Sequence, residues 1–290
     1  MLPPALEKAV RAQFNIQSVQ PCSGGDISQA DRLVTADGPL FIKWHPRSPQ
    51  GMFSAEAKGL AVLAQAKALR VPQVIYIQEP DGPIPAYLIL EWLEPGHTQN
   101  HTDEELGHGL AVLHQHTADH HGLDHSNYIG SLPQTNQPSA LWADFYAHQR
   151  IMPQMAIARR NGELPSHREN LLNKLLAQLP RLLPNDNPPA SLLHGDLWCG
   201  NVMTLTNGQP AIIDPAVYYG HREVEMAFTE LFGGFSSHFY AAYNEAYPLP
   251  QGYAERRLLY QLYPLMVHMN LFGGGYGSRV DAILRHYVGS

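Results

Sequence analysis

Asp196, Asn201 and Asp214 are the residues whose types and spacing could carry chemistry. They stand in His194-Gly195-Asp196-Leu197-Trp198-Cys199-Gly200-Asn201, followed by an Asn207-Gly208 turn and then Ile212-Ile213-Asp214-Pro215. Phosphoryl transfer from ATP needs a carboxylate to accept the proton of the attacking hydroxyl. It also needs oxygen ligands for Mg2+ and a cation against the phosphates. The spacing D-x-x-x-x-N supplies the base and one metal ligand from a catalytic loop, and Asp196 and Asn201 have that spacing. A second ligand comes from an Asp at the end of a β-hairpin, where Asp214 stands. Carboxylate and amide oxygens are hard ligands that suit Mg2+. A turn held by its own Asp and Asn side chains accounts for Asn207-Gly208, but not for the order of the three site residues.

These groups need elements to position them. Lys43 lies on an apolar strand, 39–44, after the turn dipeptide Asp37-Gly38 and a strand at 30–35. Glu56 lies near the start of an Ala/Leu-rich helix, 54–69, for which Ser54 is a suitable N-cap. A strand lysine paired with a helix glutamate can position phosphates. Ser23-Gly24-Gly25-Asp26 is the candidate phosphate-covering loop, with Gly24 and Gly25 allowing backbone N–H groups to approach. Strands are expected at 74–77 and 86–93, the second ending in Glu91-Trp92-Leu93, where adenine would meet exposed backbone groups. The order is strand–turn–strand–helix–strand–strand.

Beyond Pro95 the pattern becomes helical, with helices at 103–116, 141–160, 168–183, 222–232, 237–247 and 254–269. Short strands at 191–194, 202–206 and 210–213 frame the catalytic stretch. The division therefore falls at residue 93, giving 1–93 as the nucleotide-covering part and 94–290 as the part with the catalytic loop, metal site and acceptor pocket.

Composition narrows the class. The chain has 290 residues, 44% hydrophobic and 16% charged, with a formal net charge of −7. That apolar fraction builds a core and excludes overall disorder. A pI of about 6.1 without a Lys/Arg block argues against nucleic acid and anionic membrane partners. No apolar stretch is long enough to span a bilayer. The first residues lack a signal-peptide pattern, and Cys22 and Cys199 cannot build a disulfide framework. A cytoplasmic protein is expected, with a monomer favoured over an oligomer.

The string HGDLWCGN and the following IDPAVYYGHREVEMAFTELFGGF resemble the fructosamine kinase (ketosamine-3-kinase) family. The resemblance continues through FIKWH, LILEWL, NYIGSLPQTNQ, WADFYAHQRIMPQ and HMNLFGGGY, nearly the whole chain. It implies an α+β, protein-kinase-like two-lobed fold, with a small antiparallel N-lobe sheet plus helix and a larger, mainly helical C-lobe. The implied activity is ATP- and Mg2+-dependent phosphorylation of the sugar 3-hydroxyl of ketosamines, on glycated amines or proteins. The resemblance makes Asp196 the base, and Asn201 and Asp214 the Mg2+ ligands. It makes Lys43 and Glu56 the phosphate-positioning pair, and Glu91, Trp92 and Leu93 the adenine hinge. Some members carry a cysteine in the Gly-rich loop, where this chain has Asp26, so a redox switch is not carried over. Gly195 replaces the Arg of protein kinases, and Pro215 follows the metal Asp in place of Phe-Gly. Regulation by activation-loop phosphorylation is therefore not expected.

Weaker features have bland alternatives. Trp198 is either a stacking wall for the sugar or a core anchor. His268 and Asn270 are candidate acceptor-pocket residues. Arg222 reads as a structural tie. His114, His116, His120, His121 and His125 suggest a metal cluster, but His114 and His116 point apart on a helix, and they read instead as surface histidines. Rival readings are a kinase of another small alcohol such as an aminoglycoside or choline, a catalytically silent nucleotide-binding scaffold, and a metal-dependent hydrolase.

Overall fold

The computed structural model describes residues 2–22, 28–99, 101–184 and 187–289. Gly24 and Gly25 of the expected phosphate-covering loop lie outside the described residues.

The N-terminal part begins with α1 (Pro4–Gln13), then β1 (Ile16–Pro21), β2 (Gln29–Thr35), β3 (Gly38–His45), α2 (Met52–Ala66), β4 (Val74–Gln78) and β5 (Ala86–Glu91). The strands form one antiparallel sheet in the order β1-β2-β3-β5-β4. Strand side chains alternate between faces. On β3, Ile42 and Trp44 turn toward α1, where Leu6 and Val10 cover them together with Tyr87 and Ile89 of β5. Lys43, between them, turns to the opposite face. Strand β5 is covered on both faces, so its sequence is a continuous apolar run rather than an alternation.

Strand β1 adds an element to the expected order. Its exposed, polar sequence Ile16-Gln17-Ser18-Val19-Gln20-Pro21 belongs to a sheet edge, where little is buried and no pattern is imposed. Ser54 is not the N-cap of α2. The helix starts earlier, after Gly51, and both the Gly51 N–H and the Ser54 hydroxyl donate to Glu79.

The C-terminal part contains α3 (Thr102–Gln115), β6 (Thr117–Ala118), β7 (Asn127–Ile129), β8 (Leu132–Gln134), α4 (Trp142–Phe145), a π-helical segment (Tyr146–Ile151), α5 (Met152–Asn161) and α6 (Ser166–Leu182). It continues with β9 (Ala190–Leu193), β10 (Val202–Thr204), β11 (Pro210–Ile212), β12 (Tyr218–Gly220), α7 (Glu223–Leu231), α8 (Ser237–Ala246), α9 (Tyr253–Phe272) and α10 (Tyr276–Val288). Helix α10 is additional to the expected elements. Helix α9 is buried on nearly every side from Leu259 to Val267 and forms the axis of the larger core.

A second core joins the two parts. Phe53, Leu60 and Leu63 of α2 and Leu88 and Leu90 of β5 pack with Leu106 and Leu110 of α3, Leu192, Leu197, Ile212 and Phe239. The catalytic stretch therefore sits on a continuous apolar base.

Candidate active site

Asp196 follows β9 on a turn that requires Gly195. That glycine has φ +86, and a Cβ there would lie 2.0 Å from the Ala216 carbonyl oxygen. A residue with a side chain, such as the Arg of protein kinases, has no room. His194 is fully buried, its Nε2 2.8 Å from the Ile213 carbonyl and its Nδ1 3.3 Å from the Asp196 N–H. A carbonyl only accepts, so Nε2 carries the proton and Nδ1 accepts from Asp196. Burial lowers the His194 pKa below its usual range, in keeping with this neutral form.

Glu225 of α7 fixes the same turn from below. Its carboxylate accepts the His194 N–H at 3.0 Å and the Gly195 N–H at 2.6 Å. Its third partner is His114 Nε2 at 3.0 Å. His114 Nδ1 lies 2.8 Å from the Tyr243 hydroxyl, which also accepts from Arg222 at 3.0 Å. Neutral His114 donates through Nε2 and accepts through Nδ1, and burial lowers its pKa. Burial would raise Glu225, but the bonds from His114 and the loop N–H groups outweigh it and keep the carboxylate ionised. The expected surface cluster of histidines is thus corrected. His114 and His121 are buried at 0% and 2% exposure, and His114 is a structural partner of the catalytic turn.

Asn201 Nδ2 donates to the Asp196 carbonyl at 2.8 Å and to Asp196 Oδ2 at 3.2 Å. Asp196 has its pKa well above the usual carboxylate range, because of burial and then the nearby charge of Asp214. Asp214 is held in a left-handed conformation, φ +56, just after β11. Lys43 Nζ donates to Asp214 at 2.9 Å and to Glu56 at 3.1 Å. Burial alone would lower the Lys43 pKa, but the two carboxylates outweigh it and raise it. Burial likewise pushes Glu56 up, against the attraction of Lys43.

These groups share one cavity of about 170 Å³, also lined by Tyr128, Trp198, His268 and Phe272. An adjoining cavity of about 550 Å³ is lined by Glu91, Trp92 and Leu93 and meets the first at Phe41, Trp198, Asn201 and Asp214. The Glu91 side chain is paired with Arg70, and the Trp92 indole N–H donates to Glu94 at 2.7 Å. Trp198 borders both cavities, its ring packed on Gly200. Asn270 does not line either cavity. Its amide donates into the core, to the Gln154 carbonyl at 3.0 Å and Oε1 at 2.8 Å. Arg222 ties the segment after α8, donating to the Tyr247 and Pro248 carbonyls.

Among the described residues, no three or more His, Cys, Asp or Glu come together to hold a metal ion. A carboxylate from Asp214 and an amide oxygen from Asn201 nevertheless fit Mg2+, which usually takes one or two protein ligands together with substrate phosphates.

A model of the fructosamine kinase family matches residues 3–289. The chain belongs to the fructosamine kinase family. A relative from Lactiplantibacillus plantarum, named "Probable ketoamine kinase", is 41% identical over 94% of this chain and 95% of its own. The chloroplastic protein-ribulosamine 3-kinase of Arabidopsis thaliana is 35% identical over 94% of this chain and 83% of its own. A crystal structure of a candidate fructosamine-3-kinase from Thermobifida fusca superposes with a TM-score of 0.86 at 33% identity, covering 98% of both chains. An aminoglycoside phosphotransferase solved with ADP and hygromycin B matches at TM-score 0.63 and 19% identity, over 99% of this chain and all of its own. That match concerns the fold alone, which is the protein-kinase-like two-lobed fold implied by the sequence resemblance. Among the described residues, no helix is long and apolar enough to cross a membrane.

Proposed function

We propose that this member of the family is a cytoplasmic, Mg2+- and ATP-dependent kinase. It phosphorylates the sugar 3-hydroxyl of ketosamines, free or protein-bound, in a deglycation-repair role. The supporting observation is the cavity in which Asp196, Asn201, Asp214, Lys43 and Glu56 meet, beside a second cavity bordered by Glu91–Leu93. The ketoamine and ribulosamine kinase names of the relatives support the choice of acceptor.

In this reading Asp196 accepts the proton of the attacking hydroxyl. Asn201, oriented by the hydrogen bond its Nδ2 donates to Asp196, and Asp214 are the residues that would hold Mg2+ through an amide and a carboxylate oxygen. Bound Mg2+ would supply charge neutralisation at the phosphates. Lys43 uses two of its three protons on Glu56 and Asp214, which leaves a donor for a phosphate oxygen. Residues 1–93, with Gly24 and Gly25, cover the nucleotide, and residues 94–290 hold the acceptor.

The acceptor side of the cavity is lined by Tyr128, Ile129, Trp198, Val267, His268 and Phe272. None is a carboxylate, whereas a polycationic aminoglycoside calls for several. ATP consumption with ribuloselysine, fructoselysine, kanamycin and choline tests the proposal. Turnover with the first two alone is expected, and preference for kanamycin or choline overturns the acceptor assignment. Calorimetry without Mg·ATP binding would favour a silent scaffold.

A further inference from the structure

The hairpin formed by β7 and β8 lies outside the catalytic stretch, yet Asn127, Tyr128, Ile129 and Gly130 line the same cavity. Its turn places Gly130 at φ +57, the left-handed conformation that two-residue hairpin turns require. The buried side of the hairpin is a closed network of amides. Asn127 donates to the Val217 carbonyl at 2.7 Å, and Gln134 donates to Asn127 at 2.9 Å and to the Ala216 carbonyl at 3.0 Å. Asn136 adds a bond to Asn127 at 3.0 Å, and buried Arg150 donates to Asn136 at 2.8 Å. The Tyr263 hydroxyl closes the net on Gln134 at 2.6 Å. Residues 216 and 217 follow Asp214-Pro215 directly, so the hairpin and the segment after Asp214 are locked together.

Tyr128 is pinned on three sides. Asn127 before it is anchored in this network, and Ile129 after it is 2% exposed. Its own hydroxyl donates to the Gln50 carbonyl at 2.9 Å, just before α2. The hydroxyl is therefore engaged by Gln50, and the side chain packs against the core beside α2 at the edge of the cavity that Tyr128 lines. A ring held at both its backbone and its tip is a rigid wall, able to discriminate by shape at little entropic cost.

We propose that Tyr128 is the specificity-determining residue of the acceptor site, setting the width available beside the sugar and so selecting for the size of the amine substituent. This rests on the reading of the cavity as the ketosamine site. The ring is fixed by groups that do no chemistry, so its removal widens the pocket without disturbing Asp196 or Lys43.

The test measures kcat and KM for two fructosamines, one with a small and one with a bulky N-substituent. The proteins are wild type, Tyr128→Phe, Tyr128→Leu and Tyr128→Ala, with Mg·ATP affinity by calorimetry and thermal midpoints alongside. Tyr128→Ala and Tyr128→Leu are expected to raise KM for the small fructosamine about tenfold and to shift the small-to-bulky ratio of kcat/KM by the same factor. Mg·ATP affinity should stay within about twofold, and Tyr128→Phe, which keeps the ring but frees its tip from Gln50, should shift the ratio only part of the way. An unchanged ratio in both Tyr128→Ala and Tyr128→Leu overturns the proposal. So does a loss matched by an equal loss of Mg·ATP affinity, which would make Tyr128 a strut between the lobes. If wild type turns over neither these fructosamines nor ribuloselysine, the ketosamine reading itself fails, independently of the variants.

Discussion

The Lys43–Glu56–Asp214 cluster opens onto the cavity, with the Asp214 side chain 35% exposed. The His114–Glu225 pair is sealed, with side chains 0% and 1% exposed. Both clusters touch the catalytic stretch, and they differ in what their partners can do. In the proposed reading Lys43 exchanges a carboxylate for a phosphate, because the cluster opens onto the cavity. Glu225 has no such alternative, since its acceptor oxygens are spent on two loop N–H groups and a histidine. The open cluster is built to be rearranged, and the sealed one holds the turn on which rearrangement happens. Changes at the cavity should therefore remove activity and spare stability, and changes at the sealed pair should do the reverse first.

The largest effect is expected at the cavity. Asp196→Asn should lower kcat by about 10²–10⁴, the usual contribution of a general base. Mg·ATP affinity by calorimetry and the thermal midpoint should stay near wild type. Near-normal turnover would remove Asp196 from the role of base and break the contrast at its open end.

Glu225→Ala should act on the other side. It leaves the buried His194 and Gly195 N–H groups and His114 without their shared acceptor. Leaving a buried donor unpaired costs about 1–3 kcal/mol, so the loss of the shared acceptor should cost several kcal/mol, or about 5–10 °C in midpoint for a chain of this size. Calorimetric unfolding measures it. A midpoint within about 2 °C of wild type would mean that the turn is held by the tight fit of Gly195 against Ala216 alone.

Much of this contrast was legible in the sequence only on its open side. Asp196, Asn201 and Asp214 stood out because their oxygens and spacing suit a metal and a hydroxyl, and the structure brings all three to one cavity. Lys43 followed only as one half of a pair with Glu56, read together with the catalytic stretch. The sealed side gave no such sign. Glu225 sits in REVEMAFTEL among ordinary first-turn acids, and His114 sits in a run of histidines of which most stay near the surface. A signal did exist, since Glu225 interrupts the apolar run of Val224, Met226, Ala227 and Phe228. Period and composition cannot say which two distant residues will meet, so His114 and Glu225 emerged only with packing. The same holds for Arg150, a buried guanidinium held by carbonyls, an amide and aromatic rings rather than by a carboxylate, with its Nε unpartnered among the described residues.

Burial of neutral histidines gives the sealed regions a pH signature. His114, His194 and His221 are held below their usual pKa by burial, and His121 is pushed down to about 4. The unfolded chain takes up these protons near pH 6.5 and the folded chain does not. The unfolded state then binds more protons, so stability rises with pH through this window and falls as pH drops below about 6.5 toward 4. Thermal midpoints should decline between pH 7 and pH 5 in an Asp196→Asn, Glu56→Gln background, because the raised Asp196 and Glu56 carboxyls take up protons in the folded chain over the same window and oppose the histidines. A flat profile would show that these histidines gain their protons without opening the fold.

The smallest effect separates two residues on α9 that a linear reading groups together. His268 lines the cavity, its Nδ1 2.8 Å from the Pro264 carbonyl and its ring against Phe232 and Phe272. Asn270 lies two positions on, and on a helix two positions turn a side chain by about 200°, which carries it out of the cavity and toward Gln154. Asn270→Ala should cost about 1–3 kcal/mol for the lost buried amide bonds and leave the acceptor KM unchanged. His268→Ala should raise that KM severalfold with little change in midpoint. Kinetics and melting of both variants give a crossed pattern if cavity and core divide α9 between them. If Asn270→Ala raises KM as His268→Ala does, the core side of the helix transmits to the acceptor. The line between rearranging and holding regions would then run through α9 rather than along it.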